Sequence, residues 1–350
     1  MYLNKYSRLI GLFCVGLLIL SSLPFQYRIE KSRNDFDIIE RSLFLSSSVL
    51  KKLSLGYDLV VADLYWIRAL QYFSNTKDYY GKPEQLYQYF DIITDLDPKF
   101  VNAYRFGGSF LAERPPIGFY EVELGTKLFE KGRKNNPDNF RLIIEEAFVY
   151  YIYTNDYEKA SELFNLASEK VSSEVRRSSL KGMAALSLSK SGNLELSEKI
   201  WKYIYNTTTN EARKEFALNN IKELRTLQIE NKLSAALKQY YADNNKIPGS
   251  LTILLEQGYI KNIPVDPIGG EFVILADVIA VRSDKLAENE YTYAKQLLNS
   301  RSDKFRRRHG RFAYSIEELR LFVEQSPLHD FPEHPYGKTF KYNSENGKIE

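Results

Sequence analysis

All three histidines of the chain, His309, His329 and His334, fall within its last 42 residues. With Asp330 and Glu333 beside them, they raise the question of metal chemistry first. Imidazole nitrogens and carboxylate oxygens hold zinc when three or four converge on one point. His329 and His334, however, flank Phe331-Pro332 in an irregular stretch. Metalloprotease pairs instead stand at i and i+4 on one helix face. The spacing therefore reads as ordinary turn residues, and no metal or other cofactor is expected.

The second group with chemical potential is a basic run. Arg306, Arg307, Arg308 and Arg311, with Arg301 and Lys304 just before, form the one dense cationic stretch. Cations suit the C-terminal end of a helix, so a solvated helix end is the plain reading. The same four arginines, Arg306 to Arg308 and Arg311, are the candidates for an anionic surface, either lipid head groups or cell-wall polymer. Nucleic acid is not expected, because 48 Lys and Arg against 45 Asp and Glu leave a net charge of only +3.

Catalysis lacks a signature altogether. The chain has no P-loop, no G-x-G-x-x-G, no G-x-S-x-G and no H-E-x-x-H. Its single cysteine, Cys14, can form neither an intramolecular disulfide nor a thiolate cluster. Asn206-Thr207-Thr208 matches an N-glycosylation acceptor by chance unless the host glycosylates exported proteins. No enzymatic activity is expected, and the chemistry must come from surfaces that larger elements position.

Those elements announce themselves by repetition. Leu86/Phe90/Ile93, Gly125/Phe129/Gly132, Ala160/Phe164/Ala167 and Ser197/Trp201/Ile204 share one cadence, and their aromatics lie 39, 35 and 37 residues apart. That interval is one helix-turn-helix unit. Helices precede each segment: Asp63 to Phe73 carries Leu64, Ile67, Ala69, Leu70 and Phe73, Val101 to Leu111 carries Tyr104 and Gly107-Gly108, and Phe140 to Tyr153 carries Ile143, Ala147, Tyr150 and Tyr151. Small residues at Gly107, Gly108, Ala147 and Ala184 would let paired helices approach closely. Eight residues after Phe90 and Phe129 stand Pro98 and Pro137, well placed for the first turn of a next helix, while Ser172 and Thr209 occupy that place after Phe164 and Trp201 and can cap one.

This pattern resembles the tetratricopeptide repeat over roughly residues 58–225, with Arg114-Pro115-Pro116-Ile117-Gly118 lengthening the second unit. The resemblance implies an α-solenoid of about four helix-turn-helix units that holds other proteins. The four repeat aromatics are assigned to the core, since an aromatic stripe at helical spacing packs inward. Tyr72, Tyr104, Arg105, Tyr150 and Tyr153, on the first helices, are the candidate protein contacts by residue type.

A second duplication follows. Tyr240, Ile247-Pro248, Ser250-Leu251, Leu254 and then Pro264-Val265-Asp266-Pro267-Ile268-Gly269 are answered by Phe305, Phe312-Ala313, Ser315-Ile316, Leu319 and Pro332-Glu333-His334-Pro335-Tyr336-Gly337, offset by 65 and then by 68 residues. Each copy reads as a helix, a short helix capped at Ser250 or Ser315, a Pro-x-x-Pro-x-Gly turn and a strand. Phe272 to Val281 is almost wholly apolar, as a strand buried on both faces would be. In the second copy Phe340 to Asn343 alternates and Asn346-Gly347 signals a hairpin. The turn-and-strand part resembles the globular ends of type II secretion and type IV pilin-like proteins. The chain lacks a prepilin peptidase site, and His334 replaces the aspartate, so neither pilin identity nor a calcium site is implied.

Residues Leu9 to Tyr27 carry no charge, with Lys5 and Arg8 before and Arg28 after. Nineteen residues at about 1.5 Å each span about 28 Å, near the bilayer's hydrocarbon thickness. The lack of a small-residue cleavage pattern favours an uncleaved anchor over a cleaved secretory signal. The basic flank before the segment favours residues 28–350 outside the cytoplasm.

The expected organisation is therefore an anchor or signal at 1–28, a linker or helix at 29–57, a solenoid at 58–225, and two small α/β modules at 226–285 and 286–350. A mainly α, membrane-anchored, exported scaffold follows, holding partner proteins in a cell-envelope assembly such as a secretion or pilus system. The alternatives are a binder of envelope polymer or lipid head groups, and a cell-envelope hydrolase using scattered carboxylates.

Overall fold

The computed structural model describes residues 44–75, 82–115, 117–324 and 331–350. The 1–28 segment, and with it the anchor expectation, lies outside the described residues, as do His329 and Asp330. Among the described residues no helix is long and apolar enough to cross a membrane. The described residues are mainly helical and hold thirteen α-helices and four short strands.

A short helix α1 (Ser47–Leu53) leads into a run of paired helices: α2 (Asp58–Asn75) with α3 (Pro83–Leu96), α4 (Val101–Ala112) with α5 (Val122–Asn135), α6 (Phe140–Val149) with α7 (Tyr157–Glu169), and α8 (Glu174–Lys190) with α9 (Leu194–Thr207). Each second helix also packs on the first helix of the next pair, and α9 packs on the 34-residue α10 (Glu211–Asn244). Phe90, Phe129, Phe164 and Trp201 are all buried on the second helices. Close approach is built in where glycine stands: a Cβ on Gly107 would lie 2.5 Å from Leu128 Cδ2 and Phe90 Cγ, and one on Gly108 would strike the Phe129 ring.

Local chemistry sets the boundaries. Pro83 opens α3 at a position whose N–H has no helical acceptor anyway. Asn139, Asp156, Ser173, Asn193 and Asn210 cap α6 to α10 by accepting backbone N–H groups. The caps of α8 and α10 are thus Ser173 and Asn210, one residue beyond the expected Ser172 and Thr209. At the end of α6 the chain widens into a π turn, Tyr150–Thr154, and reverses at Asn155 with φ +55°.

The packed face of α2 is set by the fold. In α2 the residues turned inward are Ala62, Tyr65 and Ala69, whereas Leu64, Ile67 and Leu70 are exposed. This helix is apolar on most of its circumference, so its sequence does not say which stripe α3 will cover.

After α10 come α11 (Leu251–Glu256), strands β1 (Phe272–Leu275) and β2 (Ala280–Ser283), then α12 (Asp284–His309), α13 (Ile316–Glu324), β3 (Tyr342–Asn343) and β4 (Lys348–Ile349). Phe272 to Val281 is not one buried strand. The 3-10 turn Ala276–Val278 and Ile279 at φ +47° fold it into a half-buried antiparallel hairpin. The same order of elements occurs twice, with matching detail. Asn245 and Gly310 end the long helices in the left-handed region, and Gly269 and Gly337 close the proline turns with φ +84° and +65°. Leu275 pairs with Ala280 in the first hairpin, and Asn343 with Lys348 in the second.

The two turns differ in what sits at the centre. Asp266 is buried and accepts from Thr226 Oγ1 and Ser283 Oγ, both at 2.6 Å, and from the N–H groups of Ile268 and Gly270. At the equivalent place His334 Nδ1 accepts from Tyr336 N–H at 3.2 Å, and its ring packs on Tyr291 and Phe340. A hydrogen-bonded pin in one copy is an aromatic cluster in the other. Burial would raise the Asp266 carboxyl, but the four hydrogen bonds outweigh it and hold it below the ordinary 3.8. Its stabilisation is therefore present above that ordinary value and lost as pH falls below it. Nearby Glu230 is raised by burial, so its contribution has the opposite sign and fades as pH rises through its elevated value. Asp266→Asn is expected to cost about 1–2 kcal/mol at neutral pH and to flatten the acid limb of a urea-unfolding series. An acid limb that stays as steep would exclude Asp266 as its source.

Candidate partner-binding site

The first-helix residues expected to contact partners do not form one surface. Tyr104 is fully buried: its hydroxyl accepts from Asn135 Nδ2 at 2.8 Å and lies within hydrogen-bonding distance of the Thr94 and Pro98 carbonyls. Tyr72 is buried too, its hydroxyl accepting from Lys82 N–H at 2.5 Å and its ring lying against Tyr89. Both are core residues, corrected from partner contacts, because each hydroxyl is used to tie a turn to a helix. Arg105 is half-buried and held by Glu145 of α6, with Nε at 2.7 Å. Tyr153 is half-buried, and burial together with a hydrogen bond to the Glu113 carboxylate pushes its phenol well above the ordinary range. Tyr150 stands in the π turn, half-buried against the α6–α7 core.

The basic run divides as well. Arg306, Arg307 and Arg308 are exposed in the last turn of α12, with Arg306 over the Phe312 ring at 5.0 Å. Arg311 is half-buried, bonded to Glu318 at 2.6 and 3.1 Å, and stacked on Tyr314. Arg301 turns inward and is buried.

A site that the sequence did not reveal lies where α8, α9 and α10 meet. It is a cavity of about 480 Å³ open to solvent, walled by Met183 and Leu186 of α8 and by Arg213 and Phe216 of α10. Gly182 makes the opening: with no side chain there, the indole of Trp201 forms the floor, 3.1 Å from where a Cβ would stand. Phe216 stands edge-on to Trp201 with ring centres 5.6 Å apart, and more than half of its surface is exposed. Arg213 is held at one end by donating to the Val175 carbonyl at 2.8 Å.

Two polar atoms buried beneath this lining are unsatisfied among the described residues. Ser178 Oγ and Trp201 Nε1 are buried and have no hydrogen-bond partner among the described residues. Leaving such a group unpaired costs on the order of 1–3 kcal/mol, and native folds keep few of them. The only trace in the sequence is that the fourth repeat aromatic is tryptophan where the others are phenylalanine, which adds an N–H donor. Ser178, Ser179, Asn210 and Arg213 are the polar members of a mostly apolar lining, an arrangement that suits capture of an apolar side chain. No family model, no curated protein and no solved structure matches this chain.

Proposed function

We propose that this chain is a tetratricopeptide-like scaffold, held at the outer side of a membrane by residues 9–27, whose α8–α10 cavity receives an apolar side chain of a partner protein. The duplicated α/β module at 226–350 then supports the end of the solenoid, because Asp266 and Glu230 tie the first hairpin to α10. The observation that carries this reading is the open, mostly apolar cavity between α8, α9 and α10, with Phe216 exposed on its wall. The partner class, an envelope secretion or pilus component, rests on the pilin-like turn alone and is an analogy.

The test places a photoreactive benzoylphenylalanine at the exposed Leu186 in the native host. One adduct is expected, and Phe216→Asp should weaken its partner by about 30-fold or more, the loss typical of an aromatic anchor. Ser178→Ala should leave the free protein as stable or up to about 1 kcal/mol more stable, since it deletes an unpaired hydroxyl. Adduct yield unaffected by Phe216→Asp would rule the cavity out. A second reading, binding of anionic polymer or head groups, is favoured only by the exposed Arg306, Arg307 and Arg308.

A further inference from the structure

The turn between α1 and α2 is an apolar tip that nothing in the described residues covers. Between α1 and α2, Leu53 is 64 %, Leu55 85 % and Tyr57 70 % exposed, and Leu59 and Val60 follow on α2, also more than half exposed. This is not a frayed end. Ser54 is buried, its N–H donates to the Leu50 carbonyl at 2.8 Å, its Oγ bonds to the Asp58 carboxylate, and the Tyr57 N–H donates to the Ser54 carbonyl at 2.9 Å. Within that frame Leu55 adopts φ +51°, which is rare for a residue with a Cβ, and Gly56 follows at +92°. The turn thus spends backbone strain to hold a leucine outward. End repeats of a solenoid ordinarily present a polar outer face.

Charge identifies what the tip meets. Lys51 and Lys52, both exposed, stand just before the apolar residues, Asp58 within the tip is half-buried and engaged by Ser54, and exposed Asp63 bounds the patch one turn further along α2. Apolar side chains and an amphipathic tyrosine flanked by lysines match the boundary between acyl chains and anionic head groups. Reach agrees. The uncharged stretch ends at Tyr27, 17 residues before Phe44, and a chain of that length extends at most about 60 Å. We infer that the α1–α2 tip, Leu53 to Val60 with Lys51 and Lys52, inserts into the head-group layer of an anionic bilayer and fixes the orientation of the solenoid on the membrane. This inference rests on the membrane-anchored reading above and adds a second, separate contact.

The full-length protein carrying Cys14→Ser is reconstituted into phosphatidylethanolamine–phosphatidylglycerol vesicles, with a nitrobenzoxadiazole label at Leu55→Cys or, as reference, at the exposed Val175→Cys. Position 55 is expected to shift to the blue, to be quenched by doxyl lipids and to escape aqueous iodide, while position 175 stays accessible. Lys51→Ala and Lys52→Ala should each lower the docked-to-free ratio roughly fivefold. If the chain floats with vesicles but position 55 is quenched by iodide as readily as 175, tip insertion is overturned and the anchor stands. Failure to float overturns both. A blue shift that persists in detergent and is untouched by doxyl lipids assigns the tip to a second copy or to residues 9–27, and also overturns the inference.

Discussion

Phe129→Ala is expected to lower the free energy of unfolding by about 3–5 kcal/mol. The ring is fully buried between α4 and α5, its cluster includes Leu111, Leu128 and Ala112, and the backbone of Gly108 presses on it so closely that any Cβ there would overlap it. That contact allows a sharper test than truncation alone. Gly108→Ala gains roughly 1 kcal/mol of helix propensity, yet should still destabilise, because overpacking costs typically about 1–3 kcal/mol. In the Phe129→Ala background the added methyl enters the space the ring has left. The double variant should therefore be less destabilised than the two single losses added together. Guanidinium unfolding of the four proteins measures this; additive losses would mean that Gly108 does not set the α4–α5 distance.

Arg133→Ala should be comparably severe, at about 3–5 kcal/mol, for an electrostatic reason. Glu146 on α6 is fully buried, and Arg133 on α5 reaches it with Nε at 3.0 Å and Nη2 at 3.3 Å. Burial raises the Glu146 carboxyl and the guanidinium opposes that rise, with burial the larger of the two. Removing the arginine leaves an uncompensated acid in the core, whose carboxyl climbs further. A carboxyl raised above its ordinary 4.5 stabilises fully below that value and loses its contribution as pH rises through the elevated one. The deficit of Arg133→Ala should thus be small near pH 4 and grow toward neutrality. Replacing both partners, Arg133→Met with Glu146→Leu, should recover most of the loss. A deficit independent of pH would show that lost packing by the arginine stem, not the buried charge, is the cause.

Several features were readable from residue order because they depend only on neighbours along the chain. The period of Phe90, Phe129, Phe164 and Trp201 marks four helix pairs, caps and prolines mark their ends, and Asn346-Gly347 marks the last hairpin, since capping and turn chemistry act within a few residues. Even so, Ser173 and Asn210 rather than Ser172 and Thr209 took the cap positions, as two adjacent polar residues compete for one N–H. The repeated offset after Tyr240 likewise marked two copies of one element order, although the first hairpin was expected as a single buried strand.

Direction, by contrast, was set by what packs against each helix. Leu64, Ile67 and Leu70 face out because α3 covers the Ala62–Tyr65–Ala69 side of a helix that is apolar nearly all round. Tyr104 and Arg105 are adjacent in the chain, yet one is sealed in the core and the other pairs with Glu145, a split of about 100° that one-dimensional order cannot orient. The unsatisfied Trp201 Nε1 and Ser178 Oγ are likewise defined by the absence of a partner among the described residues that pack around them. Residue order therefore determined which segments become helices and which aromatics join them, through local periodicity. The surface left for a partner or a membrane was decided by long-range packing, which chooses the covered stripe of every helix.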